Sequence, residues 1–151
     1  MTQLDLTVYL SGEIHSDWRE QIKTGIAEHN LPVTILNPVT THDASDNVGV
    51  KILGAEEQNF WKDHKAAKIN SVRIKNGIEK ADVVVVKFGE KYRQWNAAFE
   101  AGYASAKGKH LITIHPPEFT HALKEVDASA IATAEDAAQV VEILKYLTTM
   151  P

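Results

Sequence analysis

Short apolar runs alternate with longer apolar stripes along this chain, and polar turns separate them. Residues 6–10 form a β-branched run that ends in Ser11-Gly12 and predicts a first strand. Residues 17–29 place Trp18, Ile22 and Ile26 on one face at fourfold spacing, which predicts a helix. Ser16 or Asp17 is the expected cap, with Glu20 in the capping-box position after Asp17; Asn30 and Pro32 close the helix. Residues 31–36 read as a second strand, and residues 39–54 as a long polar loop of the kind that carries function. Residues 56–80 read as helix in one or two pieces, with Phe60, Ile69, Val72 and Ile78 as core contacts. The valines of residues 82–88 predict a strand buried on both faces. A small-residue helix over 96–106, a left-handed cap at Gly108 and a strand over 111–114 follow. A short helix over 118–125, a weak strand over 129–132 and a closing helix over 134–147 complete the chain. The closing helix is expected to bury Ala137, Val140, Val141, Leu144 and Leu147.

Alternating strands and helices imply a parallel sheet with helices on both faces and right-handed crossovers. The expected architecture is a flavodoxin-like three-layer sandwich of order 2-1-3-4-5, in one domain spanning residues 1–151. Its switch point brings the loop after strand one, residues 12–17, beside the loop after strand three, residues 89–96.

Composition narrows the function. Apolar residues make up 44% and charged residues 24% of 151, an ordinary globular profile. The net charge of -4 gives no general attraction to nucleic acid or acidic membranes, and no apolar run is long enough to span a bilayer. The chain has no cysteine, so disulfides, thiolate zinc sites and cysteine nucleophiles are excluded. With no secretory pattern at the N-terminus, a cytoplasmic location is expected.

Candidate chemistry lies in the two switch-point loops. Glu100 sits about one turn into its helix if Asn96 caps it, where the helix dipole favours an ionised carboxylate by about 0.3–1 kcal/mol. An ionised acid there suits attack on, or stabilisation of, a developing sugar cation, but acids are common in first turns for helix stability alone, and spacing by itself favours that plainer role. Glu13 reads as a general acid, a sugar-hydroxyl ligand or a solvated turn residue. His15 reads as a proton carrier or an exposed side chain, and Asp17 as a helix cap. Gly12 alone makes no dinucleotide fingerprint. Trp95 and Tyr92 offer rings for stacking a base or packing a helix start, and Arg73 and Arg93 offer charge. His42, Asp43 and Asp46 lack the further spacing a metal site needs and read as surface turn chemistry, so neither metal nor organic cofactor is expected.

Two segments, YLSGEIHSDWRE and KADVVVVKFGEKYRQWNAAFEAGYASAKGK, resemble the YtoQ group within the nucleoside 2-deoxyribosyltransferase-like proteins. Tyr9, Leu10, Ser11 and Gly12 match that superfamily's Tyr-Leu-Ala-Gly strand, and Asp82 opens its Asp-Val-Val-Val strand. Glu100, Gly102, Tyr103 and Ala104 match its Glu-x-Gly-Tyr-Ala helix, and Lys109 its Gly-Lys pair. The resemblance implies that Glu100 is the nucleophile displacing a base from C1′ of a sugar. It also implies a homodimer or higher homo-oligomer. The family's Asp-x-Gly-Thr run is replaced by Gln94, Trp95, Asn96 and Ala97, and its second aspartate falls in Val72-Arg73-Ile74-Lys75, where no acid stands. Glu13 stands where the family has proline.

The resulting expectation is cleavage or transfer of an N-glycosidic bond in a nucleoside or nucleotide, with Glu100 and Glu13 catalytic. Tyr9, Gly12, His15, Gln94, Trp95 and Asn96 are the expected substrate contacts. The alternative is a non-catalytic module that binds a nucleotide or nucleoside derivative on the same fold.

Overall fold

The computed structural model describes residues 3–38, 42–55, 58–91 and 95–149, and for 42–46 the backbone alone. Five parallel strands form one sheet in the order β2-β1-β3-β4-β5, as expected. They are β1 (Leu6–Gly12), β2 (Val33–Leu36), β3 (Val83–Lys87), β4 (His110–Ile114) and β5 (Ala132–Ala134). Among the described residues six α-helices accompany them: α1 (Trp18–Glu28), α2 (His42–Leu53), α3 (Asn59–Lys80), α4 (Trp95–Ala106), α5 (Lys124–Ala128) and α6 (Ala137–Thr148). No helix among the described residues is long and apolar enough to cross a membrane.

Period-two alternation divides the central strands between two cores. Val8, Leu10, Val83, Val85, Ile112 and Ile114 pack with Trp18 and Ile22 of α1 and Val140 and Leu144 of α6. Tyr9, Val84, Val86 and Leu111 face the other way, against Ile78 of α3 and Ala97, Ala101 and Ala104 of α4. The alanine row lets α4 lie close on the sheet. Gly77 does the same for α3, since a Cβ there would lie 2.5 Å from Cε2 of Tyr9.

Several local expectations are corrected. The polar stretch 39–54 is largely helix α2, held against α3 by close approach at Gly49, so tertiary packing supplies what local periodicity did not show. Phe60 and Val72 are exposed rather than core; Phe60 instead packs edge-on against Trp61 at 4.8 Å. The inward stripe of α3 is Ala66, Gly77 and Ile78, with Ile74 partly buried. Asp17 is the N-cap of α1 but its side chain makes no capping bond; it accepts from Nε2 of Gln21 at 2.8 Å, and Glu20 pairs with Lys23. The expected helix over 118–125 is a 3₁₀ turn, Pro117–Phe119, followed by α5. The fifth strand starts later than expected, at Ala132. Gly108 does take the left-handed conformation, at φ 73°.

Candidate active site

The C-terminal ends of β1 and β3 meet as the strand order requires. Gly12 ends β1 at φ 105°, and a Cβ there would lie 2.2 Å from the Lys87 carbonyl oxygen, so only glycine fits this crossing. The next amide, of Glu13, donates to that same oxygen at 3.0 Å. Arg19 reaches up from α1 and clamps the strand end. Its guanidinium donates to the carbonyls of Leu10 and Gly12 at 3.3 Å and of Glu13 at 2.6 Å. Trp18 Nε1 donates to the Glu13 carbonyl at 2.7 Å, and the guanidinium stacks over the Trp18 ring at 4.6 Å. Arg19 is buried, and burial lowers its pKa; its donors run to the uncharged carbonyls of Leu10, Gly12 and Glu13.

On the opposite face, α4 carries Glu100 to a cavity of about 580 Å³ between α3 and α4. Asn70, Ser71 and Lys75 of α3 and Asn96 and Phe99 of α4 share that wall with it. Asn96 lies inside the first turn of the helix, which begins at Trp95, and is not its cap. Glu100, the sixth helical residue, is only 8% exposed. Burial raises its pKa from 4.5 to about 7, against the opposing pull of the Ser11 hydroxyl and the Arg19 charge. At about 1.4 kcal/mol per unit, that shift is roughly 3 kcal/mol against the charged form. It outweighs the about 0.3–1 kcal/mol that a helix dipole returns, so the pKa moves up where the dipole alone would move it down.

Two buried hydroxyls flank this carboxyl. Tyr9, 1% exposed, and Ser11, fully buried, lie two residues apart on the α3/α4 face of β1. Tyr9 Oη has no hydrogen-bond partner among the described residues, while the Ser11 hydroxyl bears on the Glu100 carboxyl. Burial, and then the Glu100 charge, hold the Tyr9 phenol well above its ordinary pKa, so it stays a neutral donor.

The structure does not bring Glu13 and Glu100 to one cavity. Glu13 lines a second cavity of about 370 Å³, with His15, Lys87, Phe88 and His115. Its carboxylate accepts from the amide of His15 and the hydroxyl of Ser16, so it braces its own turn. Gly89 leaves the space this side chain fills, since a Cβ there would lie 2.4 Å from Cγ of Glu13. His15 is exposed beside it. Trp95 stands 72% exposed at the start of α4, one turn before Phe99 and on the same helix face. Gln94, with Tyr92 and Arg93, lies outside the described residues, as do the side chains of His42, Asp43 and Asp46. No group of three or more His, Asp or Glu among the described residues is placed to hold a metal.

Sequence reasoning missed three features here. Arg19 hides within an amphipathic helix, and Ser11 reads as an ordinary strand end. His115, buried at the end of β4, pairs through Nε2 with Asp127 at 2.7 Å and through Nδ1 with the Pro116 carbonyl at 2.8 Å. Thr113 donates to the other Asp127 oxygen at 2.8 Å, so this cluster ties α5 to the sheet. Only the strand-ending histidine before Pro116-Pro117 hinted at it.

The family described as "Nucleoside 2-deoxyribosyltransferase YtoQ" matches residues 9–148. The uncharacterized protein YtoQ of Bacillus subtilis (strain 168) is 46% identical over 144 residues, covering 95% of this chain and 97% of that one. Among solved structures, a conserved protein from Enterococcus faecalis superposes with a TM-score of 0.64 at 13% identity, covering 95% of this chain and 99% of the other. A 2-deoxyribosyltransferase from Bacillus psychrosaccharolyticus superposes with a TM-score of 0.58 at 18% identity, covering 96% and 98%. At these identities the two structures establish a shared fold.

Proposed function

This chain belongs to the nucleoside 2-deoxyribosyltransferase YtoQ family, and from that premise we propose that it cleaves or transfers the N-glycosidic bond of a nucleoside or nucleotide. The observation that carries the reading is Glu100: a buried carboxyl on a cavity wall, with the buried hydroxyls of Tyr9 and Ser11 on the facing strand β1. Buried polar groups are nearly always satisfied, so a buried carboxyl on a cavity wall near the unpartnered Tyr9 hydroxyl supports a place prepared for a polar ligand.

In this mechanism the ionised Glu100 attacks C1′ of the sugar. A C1′–O bond forms as the C1′–N bond breaks, and the base leaves with the bonding pair and takes up a proton. Water then displaces Glu100 in a hydrolase; a second base does so in a transferase. Tyr9 donates its hydroxyl to the sugar or to Glu100, and Asn96 contacts the sugar from the first turn of α4. Phe99 joins Trp95 as a surface on which the base stacks. Glu13 serves by shaping the turn between Gly12 and α1, and any direct part in proton transfer would require it to give up its bonds to His15 and Ser16. The apolar surface of Trp95, Phe99 and Val72 suits the homodimer implied by the resemblance, which sedimentation would register as twice the 16.7 kDa chain mass.

Incubation with a panel of nucleosides and 5′-nucleotides, with and without a free acceptor base, tests the reading. Free base or an exchanged nucleoside is expected with the wild type and not with Glu100→Gln. If no base is released while a nucleoside raises the melting temperature, the chain is a binding module instead.

A further inference from the structure

The cavity beside Glu100 has two ends, and they differ in charge. Helices α3 and α4 are crossovers of a parallel sheet, so both run against the strands and lie in one direction. Their register is set at Tyr103, whose hydroxyl donates to Glu79 at 2.9 Å and whose ring lies 5.9 Å from the Lys75 ammonium. Tyr103 is therefore level with the turn between Lys75 and Glu79. Glu100, three residues earlier on α4 and about 4.5 Å along the axis, comes level with Ile74 and Lys75. One turn further up, Asn96 comes level with Asn70, and all of these but Tyr103 and Glu79 line the cavity. Asp63, the other carboxylate of the lining, stands about 18 Å along α3 from Lys75.

The lysines around Tyr103 are used differently. Lys107 approaches the same ring and pairs with the Glu79 carboxylate at 3.2 Å, and Lys109 donates to the Glu79 carbonyl at 2.8 Å. Lys75 stands exposed on the cavity wall, and among the described residues no carboxylate pairs with it. A cation that its own chain leaves unneutralised on the wall of a cavity suits an anionic group of the ligand.

We propose that the site takes nucleoside 5′-monophosphates in preference to nucleosides, with the Lys75 ammonium as the partner of the phosphate. The base and the 5′-carbon leave the sugar on opposite sides of its ring oxygen. With C1′ at Glu100 and the base one turn up beside Asn96, the 5′-carbon points toward the Lys75 end. The flexible four-carbon stem of lysine then brings a compact positive charge to the phosphate.

This role for Lys75 rests on Glu100 as the reactive group, but its test needs no turnover. Calorimetry on Glu100→Gln measures dissociation constants for the common ribo- and 2′-deoxyribonucleosides and their 5′-monophosphates, with inorganic phosphate as a separate arm. The monophosphates that bind are expected to bind roughly tenfold or more tightly than their nucleosides, the size of one charge-assisted contact. Adding Lys75→Gln should remove most of that ratio, and Lys75→Arg should retain it. Lys68→Gln, which takes the same charge from α3 outside the cavity lining, should leave the ratio as it was. The proposal is overturned if no monophosphate binds, if the ratio is near one, if it survives Lys75→Gln or if it falls equally in Lys68→Gln. Inorganic phosphate binding as tightly as the monophosphates also overturns it, since Lys75 would then hold free phosphate. Wild-type base release separates the two readings. Equal release from nucleosides and monophosphates keeps the reaction and sinks the preference, whereas Lys75-dependent binding of a monophosphate without release keeps the preference and sinks the reaction.

Discussion

The two faces of the sheet are built to different standards. Under α1 and α6, side chains from β1, β3 and β4 meet Trp18, Ile22, Val140 and Leu144 in a closed apolar layer, and the one buried cation nearby has its donors on carbonyl oxygens. Under α3 and α4, β1 presents a buried Tyr9 hydroxyl with no hydrogen bond among the described residues, and α4 supplies a carboxyl where apolar packing would be more stable. The α1/α6 face is optimised for stability. The α3/α4 face gives up part of that stability at the C-terminal edge of the sheet, the edge where this fold class places ligands. The contrast teaches where to look for function: where the sheet leaves polar groups unsatisfied.

Substitutions on each face should therefore separate activity from stability. The largest effect is expected from Glu100→Gln, which should lower base release by roughly 10³-fold or more while the protein stays folded. Circular dichroism with a base-release assay checks both halves. On the other face, Leu144→Ala should cost about 2–5 kcal/mol by leaving a cavity, measured by urea unfolding. Its base release per folded molecule should be unchanged. If both variants damage stability and activity alike, the division between the faces fails.

The pH dependence of stability sharpens the contrast further. Glu100 ionises near 4.5 in the unfolded chain and near 7 in the folded one. Between those values the unfolded state gives up the proton first, so rising pH favours unfolding by up to roughly 3 kcal/mol across the window. Below 4.5 the full stability is present, and above 7 the loss is complete. Glu100→Gln should abolish this slope and be more stable than wild type at pH 8; an unchanged slope would show that other groups cause it. The smallest effect is expected from Tyr9→Phe. Removing a hydroxyl with no partner should leave stability within about 1 kcal/mol of wild type, by thermal melting, while lowering the rate of base release.

The strand order was legible because the β-branched runs and the helices between them strictly alternate, and alternation leaves few topologies open. Glu100 was legible only through resemblance, since its spacing along α4 fits a helix-start acid equally well. The direction of its pKa shift was not legible. The helix dipole is visible in sequence, but the depth at which the carboxyl is buried is a tertiary property. Helix α2 was missed because its contacts lie on α3, and Phe60 and Val72 were placed inside by their chemistry alone. Glu13 looked like a partner for Glu100 because both flank the switch point. The two side chains line different cavities, and Glu13 turns toward His15 and Ser16.

Mass spectrometry of the protein, acid-quenched while turning over a nucleoside that releases base, tests the central claim most directly. We expect the mass of one sugar residue added to the peptide containing Glu100, and its absence in Glu100→Gln. Base release without that adduct, or an adduct that survives in Glu100→Gln, would contradict Glu100 as the nucleophile.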